Sequence, residues 1–184
     1  MNKRVLMILA DGFEEIEAIA VIDILRRCSI EVRTASLSGQ TLVAGGHQII
    51  VQADVLLKDI RADFDACILP GGSAGAQRLA DSDIVHSLIS VMHQANKIIA
   101  AICAAPAKVL SPAGLLDGRK ATCYPGMQNL FPSSATYLED PVVIDGNIIT
   151  SRGAGTALEF AFTLAEQLVG KKVIHEVRVK MVAG

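Results

Sequence analysis

Cys103 has the surroundings expected of a catalytic nucleophile. It follows an apolar run at residues 97–102, which predicts a buried strand, and precedes residues 104–110, which predict a helix with Pro106 in its first turn. A sharp strand-to-helix turn flanked by alanines is typical of a turn that exposes a nucleophile at the end of a strand. Unpaired N–H groups at a helix start should lower the pKa of a thiol there. We therefore predict a reactive thiolate at Cys103.

A free cysteine is more often a small buried core residue, and that alternative stays open for Cys103. We prefer it for Cys28, Cys67 and Cys123. The four cysteines lie far apart without a C-x-x-C pair, and a chain of 184 residues needs no disulfide framework. This pattern predicts a reducing, cytoplasmic compartment.

A second strand end carries two glycines. The apolar run at residues 65–69 is followed by Pro70-Gly71-Gly72-Ser73, where the backbone can approach a bound group closely. The N–H groups of Gly72 and Ala104 could stabilise an oxyanion at such a site. An ordinary turn after a strand explains the same residues equally well.

Three carboxylates, Glu14, Glu15 and Glu17, open the first predicted helix. Acids at a helix start are usually solvated and suit the positive end of the helix dipole. Glu15 and Glu17, however, both have apolar residues one helical turn ahead. Burial there would raise the pKa of a carboxyl group and make it a proton donor. Spacing alone does not choose between Glu15 and Glu17.

The elements that must position these residues alternate along the chain. Strand-length apolar runs and helix-length segments predict an α/β three-layer sandwich, a mostly parallel sheet with helices on both faces, in a single domain over residues 1–184. The predicted strands are 3–10, 31–36, 65–69 and 97–102, with an edge strand at 47–51 and a hairpin of 142–144 and 147–151 around Asp145-Gly146. The predicted helices are 14–27, 74–79, 83–95 capped by Asp81 or Ser82, 104–110, 156–169 and 173–182.

Composition and charge limit the classes of molecule that this protein is expected to bind. The net charge is −2 with mixed signs, which supplies no basic stripe for nucleic acid or an anionic membrane surface. The uncharged run at residues 98–107 is far shorter than the ~18 residues that cross a bilayer. We therefore expect small molecules or proteins as partners. The first helix is apolar nearly all round, with Ile16, Ala20 and Ile24 on one side. That predicts a homodimer contact, although another helix of the same chain could cover it.

Four motifs in order resemble the ThiJ/PfpI superfamily, and within it the branch of the Parkinson-disease oxidative-stress protein and its bacterial homologues. They are Glu-Glu-Ile-Glu at 14–17, Leu-Pro-Gly-Gly at 69–72, Ala-Ala-Ile-Cys-Ala-Ala-Pro at 100–106 and Thr-Ser-Arg-Gly at 150–153. The resemblance covers essentially the whole chain and implies a flavodoxin-like, homodimeric fold. It also implies that Cys103 is the reactive cysteine, that Glu17 is hydrogen-bonded to its sulfur, and that the turn at Gly72 faces it.

Two departures from the family pattern affect the proton chemistry. Animal members carry a histidine where this chain has Tyr124, and a proline where it has Ala154. Proton transfer would then rest on Glu17, water or Tyr124. The four histidines, His47, His86, His93 and His175, are not obviously placed to replace the missing one. The possible neighbours of the site are Gly71, Ser73, Tyr124 and Arg152.

The resemblance implies an enzyme of reactive-carbonyl defence. The expected activity is glyoxalase III chemistry on methylglyoxal, or deglycation of early adducts on proteins and nucleotides, without a metal or an organic cofactor. The alternative is an oxidative-stress sensor or redox-regulated chaperone in which Cys103 is oxidised to a sulfinate. A cysteine peptidase or amidotransferase is disfavoured, because no histidine lies in a recognisable partner motif.

Overall fold

A seven-stranded, mostly parallel sheet forms the centre of the computed structural model, which describes residues 3–60 and 64–183. Its order is β10-β11-β7-β6-β1-β2-β5, and β10 pairs antiparallel with β11 while the other pairs are parallel. The strands of the chain are β1 Arg4–Leu9, β2 Glu31–Ser36, β3 Leu42–Ala44, β4 Ile50–Gln52, β5 Val55–Leu56, β6 Ala66–Leu69, β7 Ile98–Ile102, β8 Lys120–Ala121, β9 Thr136–Tyr137, β10 Val142–Asp145 and β11 Ile148–Ser151.

Helices cover both faces of this sheet. They are α1 Glu15–Arg27, α2 Ser73–Ala80, α3 Asp83–Gln94, α4 Ala157–Val169 and α5 Lys171–Met181, together with a short helix, Pro106–Leu110, here called the elbow helix. Alternate residues of β1 face opposite sides. Met7 packs in the core under α1, α4 and α5, whereas Leu6 and Ile8 pack under α2, α3 and the elbow helix. The predicted three-layer α/β architecture is confirmed.

The long elements match the expectations from the sequence, apart from their terminal residues. Ser82 is the N-cap of α3, and its hydroxyl accepts from Val85 N at 3.4 Å. The hairpin of β10 and β11 is present, but its turn is Gly146-Asn147, one residue later than predicted. Gly146 has φ +61°, and a turn with positive φ at its first central residue matches the twist of the two strands.

Two short ladders differ from the expectations. The predicted strand at 47–51 is shifted to Ile50–Gln52, and it pairs with β3 in a hairpin separate from the main sheet. A parallel ladder of β8 and β9 was not predicted, because two-residue strands leave no periodic pattern in a sequence. In the ranges 3–60 and 64–183 we find no helix whose length and hydropathy would let it span a bilayer.

The sheet order determines where the chemistry can occur. Strands β7, β6 and β1 are adjacent and parallel, so their carboxyl ends lie at one edge of the sheet. The loop to α1 follows β1, Pro70-Gly71-Gly72 follows β6, and Cys103 follows β7. In open α/β sheets this edge is where ligands and catalytic groups gather.

Candidate active site

Cys103 occupies a tight turn directly after β7. Its φ of +65° lies in the left-handed region, which residues other than glycine rarely adopt. The turn is fixed on both sides, because Cys103 N donates to Ser151 O at 2.9 Å and Cys103 O accepts from Tyr124 N at 2.8 Å. These bonds hold the cysteine in the strand-to-helix geometry that the sequence predicts.

Glu17 is the carboxyl group next to the sulfur. Its side chain lies in the first turn of α1 and is buried, with the residue 1% exposed. Oε2 accepts a hydrogen bond from Gly71 N at 2.7 Å, and the carboxyl group is also hydrogen-bonded to the Cys103 thiol. Oε1 is buried and has no partner among the described residues. One carboxylate oxygen is therefore fixed by the backbone while the other is available to a reacting group.

Glu15 lies away from the sulfur and holds the β3–β4 hairpin instead. Its carboxylate accepts from His47 N at 2.6 Å and is 2.9 Å from His47 Nδ1, and a Cβ on Gly45 would collide with it. The ligand atoms of Glu14, Glu15 and His47 all lie within 4.8 Å of one another, a spacing that suits a cation, but Glu15 and His47 already satisfy each other. Of the two acids left open by the sequence, Glu17 is the one beside the thiol.

The ionisation of Cys103 differs from the expectation. Burial, the negative charge of Glu17 and the hydrogen bond with its carboxyl group raise the pKa of the Cys103 thiol to about 12. The hydrogen bonds from Gly72 and Ala104 lower that pKa but are outweighed. The predicted lowered pKa is therefore wrong, because the helix-start argument included the local donors and omitted the buried acid.

Burial also changes the ionisation of Glu17. It raises the pKa of this carboxyl group to about 7, and the negative charge of Glu14 adds a smaller increase. The hydrogen bonds with Cys103 and Gly71 lower the pKa but are outweighed. A carboxyl group that titrates near neutrality can take up and release a proton in the working pH range. A protonated thiol in contact with such a group has its general base in place.

The backbone donors around the sulfur are those expected from the sequence. Gly72 and Ala104 hydrogen-bond Cys103 through their backbone groups. Gly72 has φ +83°, and a Cβ there would meet the backbone of Glu14 at 2.7 Å, so only glycine suits this turn. Two backbone N–H groups thus lie beside the sulfur, where an oxyanion would develop on a carbonyl compound that the sulfur attacks.

A cleft of about 470 Å³ opens above Cys103, which is partly exposed. The sulfur is therefore reachable, and a purely buried core role does not describe it. The residues that line the cleft are Glu14, Gly72, Ser73, Cys103, Ala104, Tyr124, Pro125, Gly126 and Met127. Sequence reasoning missed Glu14 and the segment after Tyr124 as cleft residues, although that segment directly follows a residue already singled out.

Two expected neighbours have other contacts. Arg152 is not among the described residues that line the cleft. Its guanidinium donates to Glu139 O at 3.0 Å, and its charge acts on the thiol of Cys123. Ser73 does line the cleft, and Lys108 Nζ holds it by donating to Ser73 O at 3.1 Å and Oγ at 3.2 Å.

The remaining cysteines are buried and free, as the sequence suggested. Burial raises the pKa of the Cys67 thiol to about 12 and that of Cys123 to about 11, and it also raises the pKa of Cys28. Cys103 differs from them in being partly exposed and in contacting an acid.

Gly71 leaves the space in which the thiol and the acid meet. A Cβ on Gly71 would lie 2.6 Å from Glu17 Oε2 and 3.0 Å from Cys103 Sγ. We expect Gly71→Ala to separate the two groups. The kcat/KM of a reaction that depends on this thiol should fall by about 100-fold, and the free energy of unfolding should fall by about 1–3 kcal/mol. Steady-state kinetics and thermal unfolding measure both effects. Gly39→Ala is the matched control, since a Cβ there meets nothing within 4 Å. Equal activity of the two variants would contradict the assigned contact.

Comparisons with known proteins agree with the fold and the motifs. A model of the DJ-1/PfpI family matches residues 3–167. The crystal structure of Drosophila melanogaster DJ-1beta superposes with a TM-score of 0.96 at 40% identity and covers 100% of both chains. The Parkinson disease protein 7 homolog of Danio rerio is 37% identical over 98% of this chain and 97% of its own length. The glutathione-independent glyoxalase DJR-1.2 of Caenorhabditis elegans is 36% identical over 92% and 90%, respectively. The chain therefore belongs to the DJ-1/PfpI family.

Proposed function

We propose that this protein is a cysteine-dependent enzyme of reactive-carbonyl defence, which converts small 2-oxoaldehydes such as methylglyoxal into 2-hydroxy acids without glutathione. The contact between the Cys103 thiol and the buried Glu17 carboxyl group at the base of the cleft carries this proposal. The relative from Caenorhabditis elegans that is named a glutathione-independent glyoxalase supports it. Early carbonyl adducts on proteins or nucleotides are substrates of the same class. Four free cysteines support a cytoplasmic location.

The first step is attack of sulfur on the aldehyde carbon. The Cys103 thiol gives its proton to the Glu17 carboxylate as the S–C bond forms, and Glu17 then passes this proton to the former carbonyl oxygen, which gives a hemithioacetal and restores the carboxylate. The backbone N–H groups of Gly72 and Ala104 stabilise the oxyanion before it is protonated. A raised thiol pKa is compatible with this step, because the base that removes the proton is already in contact with the sulfur.

The second step moves hydrogen between the two carbons. Glu17 removes the proton from the former aldehyde carbon while the ketone oxygen takes up a proton from water, which gives an enediol. Glu17 then returns its proton to the adjacent carbon, and the hydroxyl group on the former aldehyde carbon loses its proton to water as the thioester carbonyl forms. The product is a thioester of the 2-hydroxy acid on Cys103. The unpartnered Glu17 Oε1 is the atom available for these transfers. Water then hydrolyses the thioester and restores the thiol.

The proposal predicts lactate as the product of methylglyoxal. The test incubates the purified protein with methylglyoxal in the absence of glutathione and follows both loss of the aldehyde and formation of lactate. Equal molar amounts of aldehyde consumed and lactate formed, over many turnovers, are expected. Loss of aldehyde without lactate, limited to one equivalent per protein chain, would instead indicate simple alkylation of the protein.

Contacts of the sulfur also favour a second candidate, a peroxide sensor. Cys103 is partly exposed, and Gly72, Ala104 and a protonated Glu17 are donors that could hold an oxidised sulfur. Two equivalents of peroxide would convert the thiol to a sulfinate with release of two waters, one of the steps of cysteine oxidation. Intact-mass measurement after peroxide, compared with the lactate assay, distinguishes the two: a sensor oxidises at Cys103 without turning over methylglyoxal.

We also propose that the protein is a homodimer that pairs through α1 and the β3–β4 hairpin. Four isoleucines on these elements are exposed, namely Ile16 and Ile19 on α1 and Ile49 and Ile50 on the hairpin. The hairpin lies against the start of α1, since Ile49 N donates to Glu15 Oε1 at 3.4 Å, so exposed isoleucines of both elements lie in the same part of the molecule. Apolar surface of this kind marks an interface on a folded protein.

The dimer is tested by two charge substitutions. We expect Ile19→Asp and Ile50→Asp to convert the dimer to a monomer in light-scattering measurements coupled to size exclusion, because an unpaired carboxylate would be buried in the interface. Val179→Asp is the control, since Val179 is 66% exposed on α5. A monomeric parent protein, or dimers in both interface variants, would contradict the proposal.

A further inference from the structure

We propose that Tyr124 determines substrate specificity, and that the cleft prefers 2-oxoaldehydes that carry a flat apolar substituent, such as an aryl group, over methylglyoxal. This inference rests on the proposed glyoxalase function and adds the substrate class to it.

The backbone places Tyr124 beside the reactive sulfur. Tyr124 N donates to Cys103 O at 2.8 Å, so the turn at Cys103 fixes the backbone from which the tyrosine side chain starts. The ring passes close to the backbone at Gly153, where a Cβ would lie 3.5 Å from Tyr124 Cδ2. Even so, Tyr124 is 52% exposed, and it is one of the residues that line the cleft. A ring face that is both anchored and open beside a nucleophile offers a stacking surface to a bound substrate.

The neighbouring walls are also apolar. Pro125, Met127 and Ala104 line the same cleft, and a methionine thioether makes favourable contacts with aromatic rings. Glu14 is the charged residue of the lining, and its carboxylate disfavours substrates that carry a carboxylate or a phosphate. The walls therefore suit an uncharged molecule with an apolar substituent.

The size of the cleft agrees with this choice. A volume of about 470 Å³ lies within the range of ~300–1,000 Å³ typical of sites that enclose drug-sized ligands. The methyl group of methylglyoxal would leave most of this space to water. An aryl substituent that packs against Tyr124 would exclude part of that water, and we expect this burial of apolar surface to lower KM for the larger aldehyde.

The test compares phenylglyoxal with methylglyoxal in the parent protein and in three variants. We expect Tyr124→Ala to lower kcat/KM for phenylglyoxal by about tenfold more than it lowers the value for methylglyoxal, chiefly through KM. Tyr124→Phe retains the ring and should keep the preference of the parent protein. Leu158→Ala, which truncates an exposed leucine on α4, should leave both substrates unaffected. Initial rates keep the reaction of phenylglyoxal with arginine side chains out of the measurement.

A second measurement does not depend on turnover. Acetophenone carries the aryl group without the aldehyde, and it should protect Cys103 from alkylation in the parent protein and in Tyr124→Phe, but not in Tyr124→Ala. An unchanged ratio of the two substrates in Tyr124→Ala, or equal protection in all three proteins, would overturn the inference. Protection by acetophenone without turnover of either aldehyde would uphold the aryl site and refute the glyoxalase proposal, so the two failures are distinguishable.

Discussion

Cys103→Ser should abolish lactate formation from methylglyoxal, with a loss in kcat/KM of at least ~10³-fold. The thiol is the only group of the proposed mechanism that forms a covalent bond with the substrate, and a serine hydroxyl is a far weaker nucleophile near neutral pH. Steady-state kinetics with lactate as the measured product gives the effect directly.

Cys28→Ala is the matched control for this substitution. Cys28 is a free cysteine at the end of α1, buried and far from the cleft lining, so its loss should leave kcat/KM within about threefold of the parent value. Thermal unfolding of both variants shows whether either has lost its fold. A folded Cys103→Ser protein that still forms lactate at the parent rate would eliminate the proposed mechanism.

Glu17→Gln should lower kcat/KM by about 10²–10⁴-fold, because the amide can neither accept the thiol proton nor move a proton between the substrate carbons. The pH dependence carries further information. Glu17 acts as a base only when ionised, and its pKa is raised to about 7, so kcat/KM of the parent protein should rise with pH through about 7 and fall below it. The variant should lack this step. A parent profile that is flat between pH 5 and 9 would contradict the assignment.

Glu17→Gln should lower kcat/KM but raise the free energy of unfolding. The two measurements together therefore distinguish a loss of catalysis from a loss of folding. The pKa of Glu17 is raised from 4.5 in its ordinary state to about 7, so the unfolded chain releases this proton more readily, and stability is lost as pH rises from 4.5 through 7. Above pH 7 we expect the free energy of unfolding of Glu17→Gln to exceed that of the parent by up to about 3 kcal/mol, so the variant should unfold at a higher temperature. Below pH 4 the two proteins should be equally stable.

The sequence predicts the architecture, and it predicts that Cys103 lies in a turn between a strand and a helix. The strands that end at the site are continuous apolar runs, and each run predicts a buried strand. The Gly-Gly or Cys-Ala-Ala that follows predicts a candidate site at the carboxyl end of that strand. Family resemblance added Glu17, which spacing could not separate from Glu15. The structure resolves that choice through the hydrogen bonds that Glu15 makes to the β3–β4 hairpin.

What the sequence could not supply depends on contacts between distant segments. Met127 was not expected in the cleft, and it lies there because a backbone hydrogen bond from Tyr124 to Cys103 holds this segment beside the site. The pKa of Cys103 was predicted with the wrong sign for the same reason. Local donors at the helix start are visible in the sequence, whereas burial and the charge of an acid 86 positions earlier in the chain appear only in the folded protein.

The proton coupling between Glu17 and Cys103 can be measured by titrating the thiolate through its ultraviolet absorbance, in the parent and in Glu17→Gln, with Cys103→Ser as the blank. The carboxylate charge contributes to the raised thiol pKa, so the titration of Cys103 should move to lower pH in Glu17→Gln. That variant would then hold more thiolate than the parent at neutral pH and still be the slower enzyme. Two titration curves that coincide would show that the acid and the sulfur do not share their proton chemistry, which contradicts the account.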